Sequence, residues 1–297
     1  MTATENYAGS VTGVQPWLAD VGPREASIHI ARTHVFAETS TDTDYICSTI
    51  SRDVFFGVPT RTREGNMIPE GAILVNYDQV RGYYEGRAGS YVVLASAQLK
   101  SVGTDWYLFN ESAATLRGTG MIGDVDTTGR EWIVNSAVIF PTAPDGIRGE
   151  VCVTRYPFID IVKNDIVEPP TPPGPRHVSQ LELAHTAQLD RMLDTLRAGD
   201  SARPFLREVH TMGIRLDDVN GKQRVFTATT ADQAAANLAT MFDGAEDITL
   251  CVRLATEWYV FAEYLVKLRT GGARRLAVSH PIEGGVFTGS FGYGKDQ

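Results

Sequence analysis

Apolar positions along this chain keep two rhythms, a helical period in short stretches and long aromatic-rich runs between them. Ile28, Ala31, Val35 and Phe36 recur at helical spacing after Pro23, a favoured first-turn residue, and predict a helix there. A shorter helix is expected over 43–50 and a strand over 53–59. Asn76 followed by Gln79 is a variant of the capping box, in which both side chains satisfy orphan helix donors, and predicts a helix over 77–86. Strands are then expected over 91–100, 106–117, 132–140 and 149–161, all rich in Val, Leu, Tyr, Trp and Phe. Further on, Leu181, His185, Leu189, Met192 and Leu196 form a second helical stripe. A short helix is expected over 202–209, with strand segments over 212–216 and 224–227. Thr230 with Gln233 opens a helix over 231–242, followed by strands over 248–254, 257–268, 274–281 and 286–292. Helix, helix, strand, helix and then antiparallel strands is an α+β order.

The two halves repeat each other. Asp105-Trp106-Tyr107-Leu108-Phe109-Asn110-Glu111 with Leu116-Arg117 is matched by Glu257-Trp258-Tyr259-Val260-Phe261-Ala262-Glu263 with Leu268-Arg269, every position displaced by 152. The capping tetrads starting at Asn76 and Thr230 are displaced by 154. Two matches in the same order at nearly one offset indicate a duplication. Between the halves, Pro169, Pro170, Pro172, Pro173 and Pro175 lack backbone donors and have fixed φ, so 163–177 is expected to be a semi-rigid spacer. The expected organisation is an arm over 1–20, a domain over 21–162, the linker over 163–177 and a second domain over 178–297.

Composition changes this picture little. The 43% hydrophobic and 21% charged fractions are ordinary for a globular protein. The net charge of -9, with no basic run, argues against a nucleic-acid partner. No stretch of membrane-spanning length is apolar, and the N-terminal residues lack a basic segment followed by an apolar one, so neither membrane nor secretion is expected. Cys47, Cys152 and Cys251 are scattered and odd in number, which fits three free thiols in a reducing cytoplasm.

The element order resembles the SnoaL-like superfamily, also called nuclear transport factor 2-like, in both halves. In the first, Asp53-Val54-Phe55-Phe56-Gly57-Val58-Pro59 resembles that family's first strand. Asn135 to Phe140, the turn at Asp145-Gly146 and Gly149-Glu150-Val151 resemble its closing hairpin. The resemblance implies two tandem cone-shaped domains, each a curved antiparallel sheet wrapped around helices to form an apolar pocket. It implies a wide choice of activities: polyketide cyclisation, ketosteroid isomerisation, dehydration, epoxide opening or simple binding. Ketosteroid isomerases place an Asp-Pro pair on the first strand, whereas Val58-Pro59 stands here. Their acidic oxyanion donor falls near Ser136 and Val278, so that chemistry is not expected. The Asp-Arg-Asp arrangement of limonene epoxide hydrolase finds no matching positions.

Five residues are candidate acids, bases or proton shuttles. Glu111 and Glu263 share a strand face with the aromatics at i-4 and i-2, where burial would raise a carboxyl pKa. The ordinary alternative is an ion pair with an arginine such as Arg117 or Arg269. His210 and His280 are candidate shuttles, against the commoner role of a satisfied strand histidine. Asp53 is a candidate for a pocket mouth, against a turn role. Tyr84, Tyr91, Trp106 and Trp258 are the aromatics expected to contact substrate. Gly118-Thr119-Gly120-Met121-Ile122-Gly123 fits a dinucleotide fingerprint but is followed by turn residues instead of a helix, and reads as a hairpin loop. The Asp124/Asp126 turn lacks the glutamate of a calcium loop. No zinc-protease, hydrolase or P-loop motif is present, so no cofactor or metal is expected.

The expected function is acid-base catalysis without a cofactor on a hydrophobic small molecule, by cyclisation, dehydration, isomerisation or epoxide opening. The rival is a binding or scaffolding protein. In either case the tandem is expected to be a monomer whose halves pair as an intramolecular pseudo-dimer, with the strands around Trp106 and Trp258 as the seam.

Overall fold

The computed structural model describes residues 21–58, 72–122, 125–155, 178–218 and 221–297. The expected arm over 1–20 and the proline-rich linker lie outside them, as does Pro59. The chain divides into two compact units, the first built on 21–56 and 74–150 and the second on 178–297.

In unit 1, α1 (Pro23–Ala37), α2 (Thr43–Ser48), β1 (Ile50–Val58) and β2 (Ala72–Leu74) precede α3 (Tyr77–Ala88). There follow β3 (Tyr91–Gly103), β4 (Tyr107–Gly118), the small pair β5 (Met121–Ile122) and β6 (Val125–Asp126), β7 (Glu131–Ala143) and β8 (Gly146–Arg155). The six-stranded sheet runs β2-β1-β8-β7-β4-β3. Unit 2 has α4 (Gln180–Arg197), β9 (Leu206–Asp217), β10 (Gln223–Ala228) and α5 (Ala231–Met241). It continues through β11 (Ala245–Ala255), β12 (Tyr259–Leu268), β13 (Ala273–Glu283) and β14 (Val286–Asp296). Its sheet runs β10-β9-β14-β13-β12-β11, the same order with the same connections. The architecture is the expected α+β tandem.

Two expectations need correction. The sheet of unit 2 is mixed: β14 lies parallel to β9, pairing Ser290 with Met212 and Phe291 with Gly213. The first and last strands of the unit meet in the middle of the sheet, a long-range pairing that no local pattern encodes. The helix expected over 202–209 is only a 3-10 turn at Arg203–Phe205, and the strand starts at once with Leu206. The glycine fingerprint is a hairpin, as read: β4 ends at Gly118 and β5 pairs with β6.

The helix starts follow from side-chain chemistry. Asn76 accepts from Gln79 N–H at 2.9 Å, while Gln79 Oε1 accepts from Val75 N–H at 2.9 Å. Thr230 and Gln233 repeat both bonds in unit 2, at 3.2 Å and at 3.1 Å to Thr229 N–H. The reach-back thus lands one residue before the cap in both copies. Ser179 and Glu182 form the full capping box of α4.

Burial then fixes which faces meet. In unit 2, Leu189 and Met192 of α4 and Leu238 of α5 join Val260, Tyr264, Leu276, Val278 and Phe287 in one core. Each such large side chain contributes about 2 kcal/mol on leaving water. In unit 1, α1 packs on β4 and β7, and Ala31, Phe56, Val80, Leu108 and Phe140 are fully buried or nearly so.

Candidate functional site

Strand register decides which candidates face the helices. In unit 2, Val260 stands opposite His280 and Glu263 opposite Ala277. Residues three apart on a strand point to opposite faces. Glu263 therefore lies on the other side of the sheet from His280. Unit 1 repeats this, with Leu108 opposite Phe140 and Glu111 opposite Ala137. Both repeated glutamates are buried, and both sit in ion pairs. Glu263 takes Arg275 Nε at 3.1 Å and Nη2 at 2.6 Å, and Glu111 faces Lys100 Nζ at 3.5 Å. The cations differ from those expected: Arg117 instead pairs with Glu131. Asp53 lies within β1 and is exposed, paired with Arg148 at 2.6 Å. Trp106 and Trp258 each sit edge-on against the following tyrosine, at 4.8 and 4.7 Å.

His210 and His280 belong to one buried chain in unit 2. His210 Nδ1 stands 2.9 Å from the Phe287 carbonyl, which only accepts, so Nδ1 carries the hydrogen. His210 Nε2 then accepts from Ser290 Oγ at 3.2 Å. Ser290, having given its hydrogen, accepts from His280 Nδ1 at 2.9 Å, and Tyr264 donates to His280 Nε2 at 3.0 Å. Every member has its partner, and all four side chains are at most 1% exposed. Burial holds His210 down to about 4 and, with His210 beside it, His280 down to about 3, so both are neutral at pH 7.

Unit 1 builds a different cluster, from residues that the sequence reading passed over except for Tyr84. His34 lies in the last turn of α1 and Glu38 caps it, placing them four apart on one helix face. Tyr84 and Arg87 stand three apart on α3, and Glu150 comes from β8. The Tyr84 hydroxyl is 3.2 Å from His34 Nε2, 3.2 Å from Glu38 Oε1 and 3.1 Å from Glu150 Oε2. Behind it, His34 Nδ1 donates to Thr49 Oγ1 at 2.7 Å, and Thr49 donates to the Ile46 carbonyl at 2.6 Å. The hairpin turn fixes Thr49: Ile147 N–H donates to its carbonyl at 3.0 Å. Gly146 makes this approach with φ +146°, where a Cβ would lie 2.6 Å from that carbonyl oxygen.

The electrostatics of the cluster are tuned by burial and one arginine. Burial lowers His34 to about 4, Glu38 opposing and Arg87 assisting. Burial pushes the Glu38 carboxyl up, but the Arg87 guanidinium and His34 outweigh it and hold it below its ordinary value. Burial, then Glu150 and Glu38, raise the Tyr84 phenol far above its usual range, so it is a phenol and never a phenolate at neutral pH. Arg87 donates to Glu38 Oε1 and to the Glu38 carbonyl, and its guanidinium lies 5.5 Å from both the Tyr84 and Tyr91 rings.

His34, Glu38 and Glu150 also offer ligand atoms within 4.8 Å of one another, the spacing of a cation site. The centre of that triangle is taken by the Tyr84 oxygen at hydrogen-bond distances, well beyond the roughly 2.0–2.2 Å of metal coordination. Beside the cluster lies a shallow open cleft lined by Glu38, Tyr84 and Arg87 together with Ile46, Tyr91 and Val93. Two tyrosines expected to contact substrate, Tyr84 and Tyr91, thus line one cleft.

No protein-family model and no curated protein sequence matches this chain. Solved structures similar to it include a nuclear transport factor 2-like (NTF2-like) protein from Burkholderia xenovorans, at 10% identity. That match covers 43% of this chain and 88% of that one, with a TM-score of 0.34. An LEH-like epoxide hydrolase from M. tuberculosis matches at 9% identity over 43% of this chain and 82% of its own, TM-score 0.33. A protein with a ketosteroid isomerase-like fold from Catenulispora acidiphila, in complex with trimethylamine, matches at 14% identity over 42% and 83%, TM-score 0.32. No helix among the described residues is long and apolar enough to cross a membrane.

Proposed function

We propose that unit 1 is an enzyme acting by acid-base chemistry, without a cofactor, on a small hydrophobic molecule held in the Tyr84–Tyr91 cleft. The observation that carries this reading is the Tyr84 hydroxyl, contacted by an imidazole and two carboxylates at the wall of a cleft. The side chains already present supply the parts such a reaction needs. Tyr84 is the proton donor to a ligand oxygen. Glu38, kept ionised by Arg87, is the carboxylate that accepts a proton. Arg87, with hydrogens left over after binding Glu38, steadies negative charge as it develops on the ligand. Cyclisation, dehydration, isomerisation and epoxide opening all use these elements.

Unit 2 favours the second reading, a structural or binding role, for itself alone. Its histidine chain is sealed and has every partner it needs. The test is a panel of small neutral ketones and cyclic ethers followed by NMR on labelled protein. Shifts confined to Tyr84, Arg87, Tyr91 and their neighbours, abolished in Tyr84→Phe, are the expected result. Shifts clustered in unit 2, or none anywhere across the panel, overturn the assignment.

A further inference from the structure

His34 from α1, Glu38 from its cap and Glu150 from β8 each bring one ligand atom within 4.8 Å of the other two. Among the described residues, no other trio of His, Cys, Asp or Glu does so. The Tyr84 oxygen stands over this trio, 3.2 Å from His34 Nε2, 3.2 Å from Glu38 Oε1 and 3.1 Å from Glu150 Oε2. Such separations are close to those between ligands of one ion. Bonds of about 2.0–2.2 Å at the tetrahedral angle put neighbouring ligands about 3.4 Å apart.

The surroundings prepare these groups as ligands. Thr49 gives its hydroxyl hydrogen to the Ile46 carbonyl at 2.6 Å, so its oxygen accepts from His34 Nδ1 at 2.7 Å. The Nε2 lone pair is thereby left bare on the side of the cluster. A ligating histidine is ordinarily held in this way, its second nitrogen donating to an outer partner that fixes the tautomer. Arg87 grips Glu38 from outside, through Oε1 and the backbone carbonyl. Ligating carboxylates keep outer hydrogen bonds of this kind, so the site asks for one oxygen of Glu38 and one of Glu150 whatever else those side chains hold.

We propose that His34, Glu38, Glu150 and the Tyr84 oxygen form a binding site for one first-row transition dication of the zinc type. An imidazole nitrogen beside carboxylate oxygens suits zinc and its neighbours, and a set without sulfur does not favour softer ions. Four donors are too few for calcium, which takes about six to eight oxygens. The repeat does not carry the set into unit 2. The hairpins correspond residue for residue, Pro141-Thr142 to Pro281-Ile282 and Gly149-Glu150 to Gly289-Ser290, each displaced by 140. A hydroxyl thus stands in unit 2 where unit 1 has the Glu150 carboxylate. The consequence for chemistry rests on the acid-base reading above, although binding itself does not. The ion takes the lone pairs of His34, Glu38 and Tyr84, the groups that handle protons there, so the metal-free protein is the working form and the metal-bound protein is silent.

The test uses the full chain without an affinity tag, stripped by a chelator and titrated with Co2+ alone at pH 7. Binding of one equivalent, with the visible bands of four-coordinate cobalt and displacement by Zn2+, is expected. Glu150→Gln should weaken binding about tenfold or more, and Thr49→Val, which touches no ion, by about ten- to a hundredfold through His34. Glu111→Gln and Glu263→Gln leave it unchanged. Because a substitution in a buried cluster can unfold the protein, the wild type carries a second measurement. Zn2+ should shift the NMR ring signals of His34 and leave those of His210 and His280 in place. The site is overturned by the absence of a four-coordinate cobalt spectrum, by one that survives Glu150→Gln unchanged, or by zinc shifts that miss His34. Calcium binding as tight as cobalt overturns the class of ion. Cyclohexanone separates the two readings: its shifts at Tyr84 are expected in the metal-free protein and absent after one equivalent of Zn2+. Ketone shifts that persist with zinc bound overturn the silencing. Ketone shifts without any metal binding leave the cleft standing and the metal site refuted. Absence of ketone shifts in the metal-free protein counts against the cleft, whatever the metal does.

Discussion

Two copies of one fold have placed a histidine-centred polar chain against the same strand and put it to different ends. In unit 2 the chain is neutral, sealed and complete, an internal brace joining β9, β12, β13 and β14. In unit 1 it is bordered by charged groups, Glu38 and Arg87, that face a cleft. The difference is written mainly on the helix packed behind the sheet. The capping tetrads displace α3 onto α5 by 154, so Tyr84 corresponds to Leu238 and Arg87 to Met241. Both are buried apolar residues of the unit 2 core. Two side chains on one helix thus separate a polar, charged cluster from a hydrophobic one.

The largest test of that contrast is acid. His210 and His280 are held to about 4 and about 3 in the fold, against an ordinary value of 6.5. Below pH 6.5 the unfolded chain therefore takes up protons that the folded unit refuses. The stability these residues allow is complete above pH 6.5 and is lost as pH falls toward their folded values. Each costs up to about 1.4 kcal/mol per pH unit once the pH is well below 6.5, so the pair removes about 3 kcal/mol between pH 6.5 and 5. Unit 1 has His34 held to about 4 and His29 lowered only by partial burial, so its slope from this source is shallower. Hydrogen exchange followed separately in the two units measures both slopes. Equal slopes would erase the distinction between a brace of two histidines and a site with one.

Next in size is Ser290→Ala. It leaves His280 Nδ1 without an acceptor and His210 Nε2 without a donor, both fully buried, at about 3 kcal/mol in total. Denaturation of unit 2 should shift accordingly, with unit 1 and its ligand response unchanged.

A paired comparison of the phenols sharpens the functional side. Tyr84→Phe and Tyr264→Phe each remove one hydroxyl that serves a buried histidine, and each should cost about 1–2 kcal/mol. Only Tyr84→Phe should abolish the ligand response. If Tyr264→Phe abolishes it as well, the working site is not confined to unit 1.

How much of this could be read beforehand follows the range of each interaction. The helix starts, the duplication and the Asp145-Gly146 turn are local, set by a few neighbouring side chains, and stood open in the sequence. The central pairing of β9 with β14 joins Met212 to Ser290, and nothing near either residue announces it. The same distance hid the site: His34, Tyr84 and Glu150 meet only once the sheet is assembled. Two faint signals existed. One is the pair of polar residues on each helix, His34 with Glu38 and Tyr84 with Arg87. The other is the hairpin correspondence that sets Glu150 against Ser290. The repeated Glu111 and Glu263 were the louder signal, because repetition shows what both copies retain, while the cluster around Tyr84 lies where the copies differ.

Those two glutamates give the smallest test and the cleanest internal control. They occupy one position in the repeat, on the face away from the histidines, and differ in their cation. Arg275 meets Glu263 through two nitrogens, at 3.1 and 2.6 Å, whereas Lys100 meets Glu111 through one, at 3.5 Å. A planar guanidinium making two hydrogen bonds holds a buried carboxylate better than a single ammonium contact beyond hydrogen-bond range. Replacing each by glutamine keeps the shape and removes the charge. Each substitution should destabilise its own unit by about 1 kcal/mol as a buried carboxylate loses its cation. Neither should change the ligand response of the cleft, because neither side chain lines it. A lost response in Glu111→Gln would restore that carboxylate as the acid or base of unit 1. It would also show that the sheet's far face, which the register separates from Tyr84, takes part in the chemistry after all.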